Sequence, residues 1–228
     1  MLVLVASRYD ADAMSIVAGW GESGTAAMLT AEDLCQPGWS VSVPRSARGA
    51  AVIGGRIVPH GEVRGILTLR PAVFAAELQT IRPDDREYVA AELNAFLLEW
   101  LMAQSCPVLN RPTFSCLAGP NWRAEQWIHL AARLGIPVRA HSNYEGSGSS
   151  LPAEENAIEI ISVGERCFGC RDAKLQSWSR RLAEAAGTEL LCTRFSQVQC
   201  DLLSAHSWPR LTDPDVLAAV RERLGGKA

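Results

Sequence analysis

Apolar residues recur along this chain in two rhythms, short unbroken or alternating runs and longer stretches at helical spacing. Leu2 to Ala6 is an unbroken apolar run of strand length, closed by the polar loop Ser7-Arg8-Tyr9-Asp10. Ala13, Ile16, Val17 and Trp20 then share one face of a helix over 11–20, which Gly21 to Gly24 ends. This opens an α/β unit, with the polar loop at the carboxyl end of the first strand, where open sheets bind ligands. Ala26 to Leu29 reads as a short strand and Thr30-Ala31-Glu32-Asp33-Leu34 as a capped turn or short helix. Trp39 to Val43 alternates like a strand, and Ala50 through Gly54-Gly55 to Val58 reads as a hairpin with a glycine turn. Gly65-Ile66-Leu67-Thr68-Leu69-Arg70 is a further buried strand, ending on an arginine.

The strongest helical pattern runs from Tyr88 to Met102, with Val89, Leu93, Phe96, Leu97 and Trp100 in phase. Pro83-Asp84-Asp85-Arg86-Glu87 opens it, and acidic residues there suit the positive end of the helix dipole. A second helix follows Asn121-Trp122 and stops at Gly135, leading to a strand at Ile136-Pro137-Val138. Between the helices lies Pro107-Val108-Leu109-Asn110-Arg111-Pro112-Thr113. Its prolines hold the backbone out of helical geometry, so it reads as an extended linker with Asn110 and Arg111 as polar groups at the junction.

Beyond Val138, residues 141–156 are rich in Ser, Gly and Glu and read as a flexible loop. Ala157 to Val163 is a strand, Gly164-Glu165 a turn, and Arg166-Cys167-Phe168-Gly169-Cys170 its hairpin partner. A helix over Leu175 to Ala186 stops at Gly187. Strands are expected at Glu189 to Thr193 and at Ser196 to Leu202, and a terminal helix at Pro214 to Leu224.

Composition narrows the class. The chain has 228 residues, a formal charge of -3 and 48 % hydrophobic residues, enough for one large core or two modest ones. Balanced charge gives no nucleic-acid footprint, and no apolar run is long enough to span a membrane. The first residues are too short for a signal segment, so a reducing cytoplasm with free cysteines is expected. No GxGxxG, P-loop or GxSxG motif is present.

Candidate chemistry is scattered. Cys167-x-x-Cys170 with Cys192, Cys200 or His206 could supply a zinc shell, but the second pair is not compact. Cys192 and Cys200 also fall in apolar, strand-like runs, so core cysteines are expected and no metal site is assigned. Arg70 after its strand is an anion-binding candidate. Asp201, at the end of the Ser196–Leu202 strand, is placed for acid–base work, and His206 is in an exposed loop, whereas His129 is a surface or half-buried helix residue. Trp100 and Trp127 occupy core positions, while Trp122 and Trp208, beside prolines, are surface candidates.

The runs Arg86 to Leu98, Cys106 to Pro112 and Leu117-Ala118-Gly119-Pro120-Asn121-Trp122 resemble the pre-ATP-grasp and linker region of RimK-like ATP-grasp ligases. That family includes enzymes that build amide or ester bonds on ribosomal peptides. Ile160 to Arg166 is similar to the segment leading into the second half of the grasp, and the helix from Asp215 to Leu224 has its counterpart there. The resemblance implies an α/β fold, with a pre-ATP-grasp-like domain over 1–110. A shortened ATP-grasp-like α+β domain over 111–228 would follow.

Against that pattern the chain departs at defined places. Residues 1–173 contain no lysine, and the short stretch between Val138 and Ile158 is too brief for the family's lysine-bearing lid subdomain. Asp201 matches a magnesium carboxylate, yet Leu203 stands where the family has an asparagine, and one carboxylate cannot hold a nucleotide-bound magnesium. The resemblance with these departures implies a non-catalytic ATP-grasp-like binding or scaffold protein, without an assigned cofactor, that recognises a peptide or partner protein in a biosynthetic pathway. The alternative is a divergent ATP-dependent carboxylate–amine ligase acting on a peptide, completed by a partner chain. A third reading is an ATP-independent enzyme in the old cleft. The ligand or partner candidates are Arg70, Asn110, Arg111, Trp122, Asp201, His206 and Trp208. Homo- and hetero-oligomers both remain open.

Overall fold

The computed structural model describes residues 1–21, 25–41, 49–139 and 157–225. The expected loop at 141–156, the glycine stop at 22–24, the end of the Trp39–Val43 strand and Gly226 lie outside the described residues. In chain order the elements are β1 (Leu2–Val5), α1 (Ala11–Trp20), β2 (Ala26–Leu29), α2 (Ala31–Leu34), β3 (Ala50–Ile53), β4 (Arg56–Pro59) and β5 (Gly65–Thr68). There follow α3 (Arg86–Ala103), β6 (Val108–Leu109), α4 (Ala124–Arg133), β7 (Ala157–Val163), β8 (Arg166–Phe168), α5 (Ala173–Ala185), β9 (Leu190–Ser196), β10 (Leu202–His206) and α6 (Pro214–Arg223). Two compact units result: Met1–Asn121 with Arg210–Ala228, and Trp122–Pro209.

The first unit is built on a parallel sheet in the order β2-β1-β5-β6. β1 is Leu-Val-Leu-Val and buried throughout, as a strand covered on both faces requires. It pairs with β2 from Leu2↔Ala26 to Val5↔Leu29 and with β5 from Leu2↔Gly65 to Val5↔Thr68. α1 carries the crossover, capped by Asp10, whose carboxylate accepts from Ala13 N at 3.0 Å. Its buried face is Ala13, Ile16 and Trp20. α6 ends directly on the sheet. A Cβ built on Gly65 would lie 2.3 Å from Leu224 O, so only glycine starts β5 here.

One buried carboxylate ties the small elements together. Asp33 is 5 % exposed and forms the capping box of α2 with Thr30. The same carboxylate accepts from Gly55 N at 2.8 Å, in the two-glycine turn between β3 and β4. Gly54 (φ 57°) and Gly55 (φ 71°) both sit in the left-handed region, which a tight hairpin turn demands. α3 contributes Leu97, Trp100 and Leu101 to the core, and Trp39 packs edge-on against Phe96 and Trp100. Trp100 Nε1 donates to His60 Nε2 at 3.0 Å.

The expected linker is corrected in part. Val108 and Leu109 pair in parallel with Ile66 and Leu67, so this segment supplies the edge strand of the sheet before the chain turns away. Two residues are too few to show a strand period, and the partner strand lies far upstream. That pairing leaves no signature in the local pattern.

The second unit is an antiparallel sheet in the order β10-β9-β7-β8, with α4 and α5 on one face. Trp127, Ala131, Leu175, Trp178 and Leu182 meet Ile160, Leu191, Phe195 and Leu202 in its core. Within it Ser179 Oγ stands 2.7 Å from Ser162 Oγ and accepts from Thr193 Oγ1 at 2.9 Å, so the buried hydroxyls satisfy each other. Val138 makes only an isolated bridge to Leu202, in place of the expected strand over Ile136–Val138.

The strand boundaries near the end also shift. β9 runs through to Ser196 and β10 begins at Leu202, so the expected Ser196–Leu202 strand is the hairpin turn between them. Ser196 Oγ accepts from Val198 N at 3.3 Å, and Cys200 takes a positive φ of 56°. Val198 mimics a strand residue in the pattern but is 90 % exposed. Local side-chain-to-backbone bonding overrides alternation here.

Candidate functional site

Parallel α/β sheets offer their carboxyl ends as the ligand edge. In the first unit, the register brings the ends of β1, β5 and β6 together. Val5 lies beside Thr68 and Leu67 beside Leu109, so Ser7–Asp10, Arg70 and Asn110–Arg111 leave the sheet from one edge. The strand order places the reversal of direction between β1 and β5.

At this edge the polar groups differ in how far they are already engaged. Arg70 is 4 % exposed; its Nε donates to Ala72 O at 2.8 Å and its terminal nitrogen to the Glu77 carboxylate. Glu77 also accepts from Phe74 N at 3.4 Å. Arg70 therefore clamps the turn after β5. Asn110 is 2 % exposed, follows a cis Leu109–Asn110 peptide, and lies against Gly119, where an added Cβ would come within 2.8 Å of its own Cβ. Arg111 is exposed and reaches Gln104 O at 3.5 Å. Thr68 ends β5 with its hydroxyl buried and without a hydrogen-bond partner among the described residues. Tyr9 and Phe74 are exposed, with the Arg8 and Arg70 guanidiniums over their rings at 4.7 and 5.8 Å.

In the second unit the chemistry lies on the sheet face away from α4 and α5. Register sets Glu159, Arg194 and Ser204 in one cross-strand row and Ile161, Cys192 and His206 in the next. Residues two apart on a strand share a face, so the two rows are neighbours on that face. Burial pushes the Cys192 thiol up to about 12, and the nearby Glu159 carboxylate adds to the shift, so it stays protonated and is no nucleophile. Burial pushes His206 below the usual histidine range, opposed by Glu159. The neutral ring keeps Nδ1 buried without a partner among the described residues.

Asp201 stands just before β10, 4 % exposed. Its Oδ2 lies 3.3 Å from Arg139 Nε, and its Oδ1 has no partner among the described residues. Asp201 and His206 flank the length of β10, on the order of 16 Å apart along a strand, so they form no acid–base pair. His206 is the last residue of β10 and half-buried, where an exposed loop residue was expected. Its ring lies 6.4 Å from Trp208, and Trp122 packs on Trp127 at 4.7 Å. Trp122 and Trp208 are both half-buried.

The cysteines separate for a geometric reason. Cys167 is paired with Ser162 on the helix-covered face, while Cys192 pairs with Ile161 on the opposite one. Among the described residues no group of three His, Cys, Asp or Glu could hold a metal ion. Lys174, the one lysine among them, has its ammonium 4.7 Å over the Trp178 ring. The described donors do not fit a nucleotide-bound magnesium, because Asp201 is turned to Arg139 and belongs to no group of three such ligands.

Of the seven sequence candidates, Arg70, Asn110 and Arg111 share the sheet edge of the first unit. Trp122, Asp201, His206 and Trp208 belong to the second. Sequence reasoning passed over Thr68, Arg139, Glu159, Arg194 and Ser204. A signal existed for Glu159, a charged residue between Ile158 and Ile160 inside a strand, and a weaker one for Arg194, between Thr193 and Phe195.

No protein-family model and no characterised protein matches this chain by sequence. Solved structures do match its fold. The macrocyclase MdnB from Microcystis aeruginosa MRC superposes with a TM-score of 0.70 at 12% identity, covering 99% of each chain. The macrocyclase MdnC from the same source, bound with precursor peptide MdnA, gives 0.69 at 11% identity, again over 99% of each chain. A Chryseobacterium gregarium RiPP-associated ATP-grasp ligase in complex with ADP and a leader and core peptide gives 0.65 at 8% identity, over 100% of this chain and 97% of that one. The chain is α/β and has the fold seen in these ATP-grasp ligases, across its whole length.

Proposed function

We propose that this chain serves amide-bond formation on a peptide, as a divergent ATP-dependent carboxylate–amine ligase completed by a partner chain. The observation that carries this reading is the whole-length fold likeness to MdnC bound with its precursor peptide, joined by PsnB complexed with a minimal precursor at a TM-score of 0.67. Completion by a partner is supported by the described residues, among which Lys174 lies over the Trp178 ring and no group of three His, Cys, Asp or Glu could hold a metal ion. ATP supplies the activation of a carboxyl group in such ligation, and this chain's part is to hold the peptide at its exposed edge residues. A division after residue 110, with a shortened grasp-like part beyond it and a cytoplasmic location, belongs to the same proposal.

The test is reconstitution of the purified chain, with and without co-purifying proteins, in the presence of ATP, magnesium and a precursor-type peptide. Loss of one water per bond in the peptide mass, with matching ADP, is expected only when peptide and partner are both present. Peptide binding without ADP in either setting overturns the ligase reading. It would favour the second one, a non-catalytic scaffold whose lid and ligation chemistry are lost. The pairing of Asp201 with Arg139 is the observation on the side of that scaffold.

A further inference from the structure

The amino ends of β1, β2 and β5 face away from the ligand edge described above, and a cavity of about 660 Å³ opens there. Its walls include Arg56, Ile57 and Val58 of β4, Glu62 and Arg64 ahead of β5, and Arg221 of α6. Three guanidiniums thus surround the space against one carboxylate. None of the three makes a side-chain hydrogen bond or ion pair among the described residues, and Arg221 Nε is withdrawn from solvent without a partner. Guanidinium presents a flat fork of donors that matches a carboxylate in two-point contact.

The same wall carries an open strand edge. Among the described residues β4 pairs with β3 alone, in a two-stranded sheet. The two-glycine turn makes Ile53 and Arg56 the closing hydrogen-bonded pair, so alternation turns the N–H and C=O of Ile57 outward, off the free edge. Ile57 is also 63 % exposed, a large apolar side chain beside three cations. A lone anion would engage the guanidiniums and leave both the strand edge and Ile57 uncovered. A peptide in extended form engages all three features.

We propose that this cavity docks an acidic peptide segment, which adds as a strand to the free edge of β4 and lays its carboxylates against Arg56, Arg64 and Arg221. The site lies at the opposite end of the sheet from the proposed ligation chemistry and needs no ATP, so it stands or falls separately from that reading.

The probe is a short fluorescein-labelled peptide alternating glutamate and valine, titrated against the full chain by fluorescence anisotropy. Saturable binding is expected, with the dissociation constant raised about tenfold or more in Arg221→Gln and in the double variant Arg56→Glu, Arg64→Glu. Ile57→Pro, which removes the outward N–H, should weaken binding while far-UV circular dichroism stays that of the wild type. Lysine–valine peptide should not bind, and inorganic phosphate should not displace the acidic peptide at matched ionic strength. The proposal is overturned by absence of saturable binding, by folded arginine variants that bind as the wild type does, or by an Ile57→Pro protein with unchanged affinity. Displacement by phosphate would overturn it too, in favour of a simple anion pocket.

Discussion

Each unit of this chain sets an arginine against a buried carboxylate, and the two pairs are finished differently. Arg70 and Glu77 have side chains only 4% and 10% exposed, and every strong bond they offer ends inside the turn after β5. Arg139 and Asp201 are 41% and 6% exposed, and one oxygen of Asp201 is left over. A buried pair closed on itself, with its remaining hydrogen-bonding groups satisfied, holds a loop in place. A carboxylate with an unspent oxygen beside a half-exposed cation retains capacity for a ligand. The contrast teaches that the arginine most suggestive in sequence, Arg70 at a strand end, is engaged within its own turn, whereas Asp201 keeps one oxygen unbonded among the described residues.

The largest way to break this comparison is Glu77→Ala. It leaves the Arg70 guanidinium buried and unpaired, and a cost of about 3–5 kcal/mol is expected in urea denaturation. A loss below about 1 kcal/mol would make the Arg70 pair as dispensable as a surface one. Asp33→Ala comes next. It strips the capping box of α2 and the acceptor for Gly55 N, and should cost about 1–3 kcal/mol, read as a lowered melting midpoint. Asp201→Asn should change stability by less than about 1 kcal/mol, because its partner is substantially exposed. Its mark should instead be altered affinity for the peptide in the reconstitution above. Destabilisation on the scale of Glu77→Ala, with affinity untouched, would erase the distinction between the pairs.

The smallest expected effect is a pH dependence. Burial holds both His60 and His206 below the ordinary value of 6.5, so each ring binds its proton more readily in the unfolded chain. Their contribution is complete above about pH 6.5 and is lost as pH falls from there through the depressed folded values. In His60 protonation also competes with the bond from Trp100 Nε1, since Nε2 is its acceptor. Melting midpoints should therefore fall between pH 7 and pH 5 in a window set by histidine, and His60→Gln should flatten part of the slope. A slope unchanged in His60→Gln would assign the loss to other groups.

Much of the fold was legible because local chemistry and burial agree. The run Leu2–Ala6, the Thr30–Asp33 cap, the Gly54-Gly55 turn and the Tyr88–Met102 pattern each mark an element that formed close to its expected bounds. Trp100 and Trp127 went to the cores, each 1% exposed. The site was less legible. Asp201 and His206 were separate candidates in sequence, and β10 runs extended between them. Thr68 looked like one more residue of an apolar strand. Its significance depends on the sheet pairing it with Val5 of β1 and on a buried hydroxyl that has no partner among the described residues.

The sequence by itself determined where elements start and stop and which faces are apolar, since caps, turn glycines and side-chain periodicity act over a few residues. Tertiary structure decided the rest. Val108–Leu109 became a strand because β5 offered it an edge. Cys167 and Cys192 were parted by the pleat of one sheet, Arg70 was closed off by Glu77, and Arg56, Arg64 and Arg221 were gathered from three separate segments. Each of these outcomes turns on a contact that reaches beyond its own element, whose pairing free energy the periodicity of that element does not carry.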